Sequence, residues 1–470
     1  MKKVISLVLA MVLLLGLCAC GGSAGEEVQK PAGLYAGFGR ENITPDEAVG
    51  LSGYQDSATR RKEGVLDYIY TTCVALRSGE EETMLVYTMD LIAMKDDVAD
   101  QVRQHVSKAV GIPTDHIIIG ATHTHSGPDI AAAEVADQQW EQKFLEACAR
   151  AGQNALNDLA PAQLQAATAE LTNMNFVRHY EMNDGTYYGS NFGSEASGFK
   201  AHVSEADNQL ILLKLDREEG KKDILMVNWQ AHPAGAARQA DYNSISSDFV
   251  GQTRTKLENE TDMLVAYYTG AAGNLNPKSL IESENTNKNG DYKEYGKILA
   301  DKILEVIPNL KAVEDAANIK TARVAYEAQI NHDWDYLAEE ANEVYDVWKN
   351  QSKTKGDQLA AKYGMSSVYH ANAIRKRVKM GATETRELRV FRVGPIGFTS
   401  GTYEMFTEHS KYVKEYSPFD ITFIICGCSG YIPTEQAYDY GSYESHTGIF
   451  AKGTGEALAQ EYVKLLNSIK

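Results

Sequence analysis

Positive charge is in short supply in this 470-residue chain. Lysine and arginine total 46 against 64 acidic residues, a formal net charge of −18. That balance argues against a nucleic-acid partner, because phosphate backbones are held by clustered cations. Long apolar runs are equally scarce. The run at 4–17, "VISLVLAMVLLLGL", is too short for a comfortable membrane span, and Lys2 and Lys3 precede it, which is the form of a signal-peptide core. Internal repeats and long low-complexity segments are missing. Cysteine is sparse, six in all, and histidine numbers only 11.

Two of the six cysteines stand in "LCACGG", where Leu17, Ala19 and Cys20 resemble a bacterial lipobox. The expectation is a signal peptide over 1–19 and a mature chain beginning at a lipid-modified Cys20, anchored to the outside of a bacterial cell membrane by its acyl chains. An ordinary secretory signal is the alternative. Residues 20–33 read as a flexible spacer and 34–470 as the catalytic domain. The remaining cysteines are Cys73, Cys148, Cys426 and Cys428. Cys426 and Cys428 sit two apart, but with no second pair nearby they read as buried thiols or one disulfide rather than a soft metal site.

What is present is alternation. Apolar, β-branched runs recur at 71–78, 83–91, 116–123, 208–216, 224–232, 263–270, 388–401 and 421–430, each followed by small or turn residues. Helical periodicity fills 94–109, 138–158, 247–259, 291–306, 404–416 and 455–468. This predicts an α/β fold, a mixed sheet flanked by helices, with hairpins at 71–91 and 208–232. The charged stretch at 334–380 predicts a helical insertion or cap.

Several chemistry-bearing residues stand just beyond strand-like runs: His123 and His125 after "IIIGAT", His232 after "ILMVNWQA", Asn276 after "AYYTGAAGNL" and Glu404 after "GPIGFTSGTY". Ligands of open α/β sheets sit beyond the strands' carboxyl ends. Two histidines and a carboxylate are also what a catalytic zinc needs, leaving one position open for water. A single histidine in such a place is as well explained by a structural hydrogen bond. Asp90, ending "LVYTMD", reads either as a hydrogen-bond partner of a ligand imidazole or as a helix N-cap.

"GATHTHSGPD" (120–129) resembles the His-Thr-His-Ser-Gly-Pro signature of the neutral/alkaline ceramidase family. "GFGRENITPDEAVGLSGY", "VNWQAHP", "GTYEMFTEHSKYVK" and "GYIPTEQAYDYGSYES" resemble further segments of that family in the same order. The resemblance implies a Zn²⁺-dependent amide hydrolase in which His123, His232, Glu404 and Tyr443 hold the metal, with Tyr431 the competing tyrosine. It makes His125 a non-ligating neighbour facing the substrate, and it loosely matches Arg178 to an arginine near the substrate that could stabilise an oxyanion, a surface or structural ion pair being the other reading.

Two departures bear on the substrate. In "GNLNP" Asn276 stands where the family has a serine; an amide cannot accept an acyl group but can donate a hydrogen bond. The resemblance also stops at Lys470, short of the family's additional β-sandwich domain. The expectation is therefore a hydrolase of a small or lipid-like amide or ester, with no protein partner. A binding lipoprotein on the same fold, or a zinc esterase or peptidase, are the other readings.

Overall fold

Alternating β-branched and aromatic residues suit a pleated surface buried on both faces, and most of the predicted runs are strands. The computed structural model describes residues 33–54, 57–79, 82–130, 135–188, 198–218, 220–278 and 291–470. The expected signal segment and Cys20 lie outside the described residues. Among those described, no helix is long and apolar enough to cross a membrane.

Eight strands form the main mixed sheet: β1 (Leu34–Asn42), β2 (Tyr70–Ser78), β3 (Glu82–Met89), β4 (Ile117–Ala121), β5 (Ala160–Glu170), β6 (Gln209–Arg217), β7 (Ile224–Trp229) and β8 (Leu264–Thr269). Their spatial order is β8-β7-β6-β5-β1-β2-β3-β4, and the short strand Lys311–Ala312 pairs with β5. A second sheet follows the order β9 (Ile319–Gln329), β10 (Thr383–Val393), β11 (Ile396–Gly401), β12 (Ile421–Cys426). The expected hairpins are the antiparallel pairs β2/β3 and β6/β7. The run at 388–401 is two strands, not one. Val393 pairs with Ile396 across Gly394, whose φ of 57° is left-handed, and Pro395, which cannot donate to a ladder.

The helices include α1 (Asp96–Val110), α2 (Val135–Asn157), α3 (Asp248–Thr261), α4 (Tyr292–Val306), α5 (Ala338–Asn350), α6 (Lys353–Lys362), α7 (Val368–Arg377), α8 (Thr407–Tyr416), α9 (Tyr443–Thr447) and α10 (Thr454–Ser468). Period-two alternation sorts the strand residues. Val74, Val86, Ile118, Leu213, Met226 and Tyr268 point inward and share one core with Phe391, Phe398 and Phe423 of the second sheet. Their neighbours Cys73, Tyr87 and Ile119 point outward, into a core completed by α1 and α2. Likewise Leu212, Val227 and Tyr267 meet α3 and α4, and Ile424 and Cys426 meet α8 and α10. Each such fully buried aliphatic or aromatic side chain stabilises the fold by about 1.5–3 kcal/mol. All four cysteines of the described residues are buried free thiols.

Three parallel strand pairs run toward the end of the molecule where the histidines gather: β3/β4, β7/β8 and β11/β12. They do not lie side by side in one array. The ladder between β1 and β5 holds by only two residue pairs, Tyr35 with Pro161 and Ala36 with Ala160. The carboxyl ends of β4 and β8, at opposite ends of the strand order, nevertheless meet: Thr269 Oγ1 donates to the Thr122 carbonyl at 2.8 Å.

The stretch at 334–380 is helical as expected. α5, α6 and α7 enclose a small core of their own from Val344, Met365, Val368 and Ile374. Ser352 and Ser367 cap α6 and α7, their hydroxyls accepting from the Lys355 and His370 amides. This cap meets α9 through His370, whose ring stacks on His446 with centroids 4.3 Å apart. Burial, the adjacent His446 ring and Arg377 push the His370 imidazole down to about 3. In the unfolded chain the ring takes a proton near its ordinary pKa of about 6.5. The unfolded state therefore binds more protons between these values, and the stability tied to His370 is complete above pH 6.5 and lost as pH falls toward 3. The melting temperature should fall on acidification through this window, with a shallower slope in His370→Gln; superimposable pH profiles for the two proteins would refute the assignment.

Candidate metal centre

Each parallel strand pair delivers functional residues at its carboxyl end. β4 leads to His123 and His125, β7 to His232, β8 to the loop 270–276, β11 to Glu404 and β12 to Tyr431. His123 has a φ of 70°. For a residue other than glycine that is a strained backbone, and such strain gathers at functional sites. The reversal carries the chain so that the rings of His123 and His125 stand edge to face, centroids 4.9 Å apart.

Hydrogen bonds decide which nitrogen each ring offers. His123 Nδ1 lies 2.6 Å from the Ile92 carbonyl, His125 Nδ1 3.1 Å from the Gly53 carbonyl and His232 Nδ1 3.1 Å from the Ala272 carbonyl. A carbonyl can only accept, so each Nδ1 carries the proton and each Nε2 presents a lone pair. Those lone pairs converge. His123 Nε2 is 2.8 Å from His232 Nε2 and 3.3 Å from His125 Nε2. Glu404 Oε2 joins them, 3.3 Å from His123 Nε2 and 3.9 Å from His232 Nε2, and it is buried with no hydrogen-bond donor. Four acceptors facing one another without a proton between them repel; a cation removes that cost. Burial and the neighbouring His123 ring also push the His125 and His232 imidazoles well below their usual pKa, toward the neutral form a metal requires. His123, His125 and His232 can together hold a metal ion.

Glycine shapes the site at two points. Gly53 has a φ of +116°, and a Cβ there would lie 2.8 Å from His125 Cβ. A Cβ at Gly273 would lie 2.8 Å from the Glu404 carbonyl oxygen, so the 270–276 loop can press against the Glu404 strand. The Gly273 amide donates to the Met405 carbonyl there.

The other expected residues fall in different places. Arg178 is fully buried and reaches the cavity, but its charge is spoken for: Nη2 lies 2.6 Å from Glu444 Oε1, and Nε donates to the same oxygen at 2.8 Å. Burial alone would raise the Glu444 carboxyl, yet His179 and Arg178 hold it at about 2. Arg178 Nη2 also donates to the Tyr431 hydroxyl at 3.3 Å. Tyr431 and Tyr443 both line the cavity, with ring centroids 6.2 Å apart. Tyr431 pairs with Glu404 across a two-stranded ladder, and after burial the Glu404 carboxylate is what most raises its hydroxyl; Tyr443 is pushed up to about 12 by burial and Glu444. Asn276 is buried on the strand Leu275–Pro277, behind the Leu275 carbonyl that accepts the His232 amide, and is not part of the cavity wall. Asp90 serves in neither of its expected roles. It forms a buried ion pair with Arg254 at 2.8 Å and accepts from the Tyr70 amide, while the residue preceding α1 is Lys95.

The cavity measures ≈ 730 Å³. His125, His232, Tyr431 and Tyr443 line it together with Tyr54, and the cap contributes Tyr345, Trp348, Lys349, Tyr369 and Lys376. Residue type and spacing do not mark Gly53, Tyr54, Arg60 or Glu444 as site residues. "LSGY" contains the first two; nothing local signals Arg60, whose guanidinium donates to the His125 carbonyl at 2.8 Å, or Glu444.

A model of the neutral/alkaline non-lysosomal ceramidase N-terminal region matches residues 35–276, just over half of the chain. The chain belongs to the neutral/alkaline ceramidase family. Its fold is similar to that of the neutral ceramidase from Pseudomonas aeruginosa, with a TM-score of 0.69 over 94% of this chain and 75% of that one at 14% identity. A ceramidase complexed with C2 matches with a TM-score of 0.67, 14% identity, and 93% and 75% coverage. The ceramidase-family segment contains all three histidines; Glu404, Tyr431 and Tyr443 lie beyond it, and their place at the site rests on the geometry above. Replacing Gly53 by alanine should displace His125 and lower turnover by at least about tenfold, as misplacement by about an ångström can, and the strain of a side chain at φ +116° should lower the melting temperature as well. Unchanged turnover in G53A would show that the His125 position is not set by this contact.

Proposed function

We propose that the protein is a zinc-dependent hydrolase of amide bonds in small or lipid-like substrates. The convergence of three Nε2 lone pairs and a buried carboxylate oxygen at the wall of a cavity carries this reading. His123, His232 and Glu404 are the holding set, with one tyrosine hydroxyl, Tyr443 or Tyr431, beside it. Zinc in such a set supplies Lewis acidity toward a carbonyl and acidifies water.

The chain's own groups then have distinct tasks. Water is the attacking group, because Asn276 offers no nucleophile. His125 is the least enclosed of the three histidines. Its Nδ1–H is fixed on the Gly53 carbonyl, so Nε2, 3.3 Å from His123 Nε2, presents the lone pair that takes a proton from the attacking water and returns it to the leaving nitrogen as the C–N bond breaks. Tyr431, kept protonated by burial, holds an O–H that Arg178 orients and that suits a carbonyl oxygen gathering negative charge. The lipobox-like segment ending at Cys20 supports a lipid-anchored, extracytoplasmic location.

Purified protein should contain one zinc per chain, and a chelator should abolish hydrolysis of N-acyl amides in a panel that also holds esters and peptides. His123→Ala should lose both metal and activity. His125→Ala should keep the metal while kcat falls by about 10²–10⁴-fold, the usual worth of a general base. Full activity in metal-free protein would sink the proposal; ester or peptide turnover alone would reassign the bond.

A further inference from the structure

Behind the cavity wall stands a small buried cluster of charge. Glu444, on α9, is fully enclosed, and so are Arg178 and His179. One carboxylate ties the cluster together. Arg178 Nη2 lies 2.6 Å from Glu444 Oε1 and Nε donates to the same oxygen at 2.8 Å, while His179 Nε2 lies 2.8 Å from Oε2. A carboxylate oxygen only accepts, so His179 Nε2 carries the hydrogen of that bond. On its other side His179 Nδ1 meets the Tyr440 hydroxyl at 2.6 Å, and its ring stands edge to face with Phe406, centroids 5.6 Å apart. Phe406 directly follows the strand Glu404–Met405, so the histidine is braced against the segment that carries Glu404.

Buried ion pairs add little net stability, because desolvation offsets the attraction. What this one supplies is direction. Glu444 does not line the cavity, but Arg178, which it holds, and Tyr443, its neighbour in the chain, both do. A guanidinium is planar and its N–H bonds form a rigid fork. With Nε and one Nη2 hydrogen held on Oε1, the second Nη2 hydrogen has a fixed heading, and it donates to the Tyr431 hydroxyl at 3.3 Å. That hydroxyl accepts from Arg178, so its own hydrogen points elsewhere. Glu404 Oε2 does not take it, being buried without a donor. Tyr431 lines the cavity, where the carbonyl oxygen of a bound amide would be the acceptor. A hydroxyl that accepts from a charged donor is also polarised into a stronger donor itself.

We propose that Glu444 and His179 are positioning residues of the hydrolytic site: Glu444 holds Arg178, His179 holds Glu444, and together they keep the Tyr431 O–H aimed at the carbonyl oxygen as it gathers negative charge. The inference rests on the amide-hydrolase reading for the identity of that oxygen, but not for the alignment behind it. His179 has a specific share in this. A carboxylate gripped by one oxygen alone can turn about its last bond; the bond from His179 to Oε2 removes that freedom. Losing a donor to a developing oxyanion costs about 10²–10³ in kcat. Displacing Tyr431 is therefore expensive even though neither Glu444 nor His179 meets the substrate.

The test pairs N-methyldodecanamide with its tetrahedral, negatively charged mimic, N-methyl-P-undecylphosphonamidate, on the zinc-loaded protein. Glu444→Gln keeps the shape of the side chain and removes the charge that grips Arg178. It should weaken the mimic by about tenfold or more and lower kcat by a similar factor, with affinity for the amide within about twofold and the zinc retained. His179→Leu should move the same quantities in the same direction, and His179→Gln, which restores a donor for Oε2, should recover part of the loss. In a Tyr431→Phe background Glu444→Gln should cost less than about twofold, because the group it positions is gone. An equal factor with and without Tyr431, or unchanged affinity for the mimic, overturns the inference. Loss of zinc from Tyr431→Phe also overturns it, since the hydroxyl then belongs to the metal. Weakened mimic binding in a protein that turns over no amide upholds the positioning and removes the hydrolase reading. Turnover that Glu444→Gln leaves unchanged keeps the hydrolase reading and removes the positioning. Where Glu444→Gln fails to fold, the two His179 variants carry the same comparison.

Discussion

Three backbone carbonyls, those of Ile92, Gly53 and Ala272, fix the character of this protein. Each takes the Nδ1 proton of one histidine, and in doing so commits the opposite nitrogen to act as an acceptor. Loop carbonyls cannot switch to donating, so the tautomers are set by the backbone rather than by pH or by neighbouring side chains. The rest of the architecture then has one task at this end of the molecule: to bring three loops close enough that the committed lone pairs meet. Three parallel strand pairs, drawn from different stretches of sheet and packed on one apolar core, achieve that approach. Gly53 and Gly273 remove the side chains that would hold two of the loops apart.

Much of this was legible in the sequence, and for physical reasons. Period-two runs of buried aliphatic residues are recognisable wherever both faces of a strand are apolar, as in β2, β3, β4, β6, β7 and β8. The hairpins followed from short connections, and the amphipathic helices from their 3.6-residue period. Strands with mixed faces were not singled out. β5 alternates with exposed polar residues, and β9 shows exposed or half-exposed groups along most of its length. A period alone also cannot count sheets, which is why the second sheet and the division of 388–401 into a hairpin emerge only in three dimensions.

For the site, the pattern was similar. His123, His125, His232 and Glu404 were visible because each follows a strand, and the structure brings all four together. Partnerships formed by distant side chains were not visible. Asp90 had local credentials as a cap or a histidine partner, but Arg254, 164 residues away, claims it. Arg178 read either as an oxyanion-binding group or as a member of an ion pair; that its partner is Glu444, 266 residues on, was not visible. Asn276 was singled out by its place in "GNLNP", yet it is buried on its strand and does not line the cavity. Long-range ion pairs leave no periodic trace, so residue type and spacing cannot announce them.

The cap also has a consequence for how the molecule can change. α5, α6 and α7 close on their own small apolar cluster, separate from the cores that back the sheets. Substitutions in distinct, non-touching clusters have additive effects on stability. Away from its contact with α9 through His370 and His446, the cap wall can therefore be rewritten with effects on stability that add to, rather than compound, those at the histidine loops. Recognition and reactivity in this protein are two separable inheritances held in one chain.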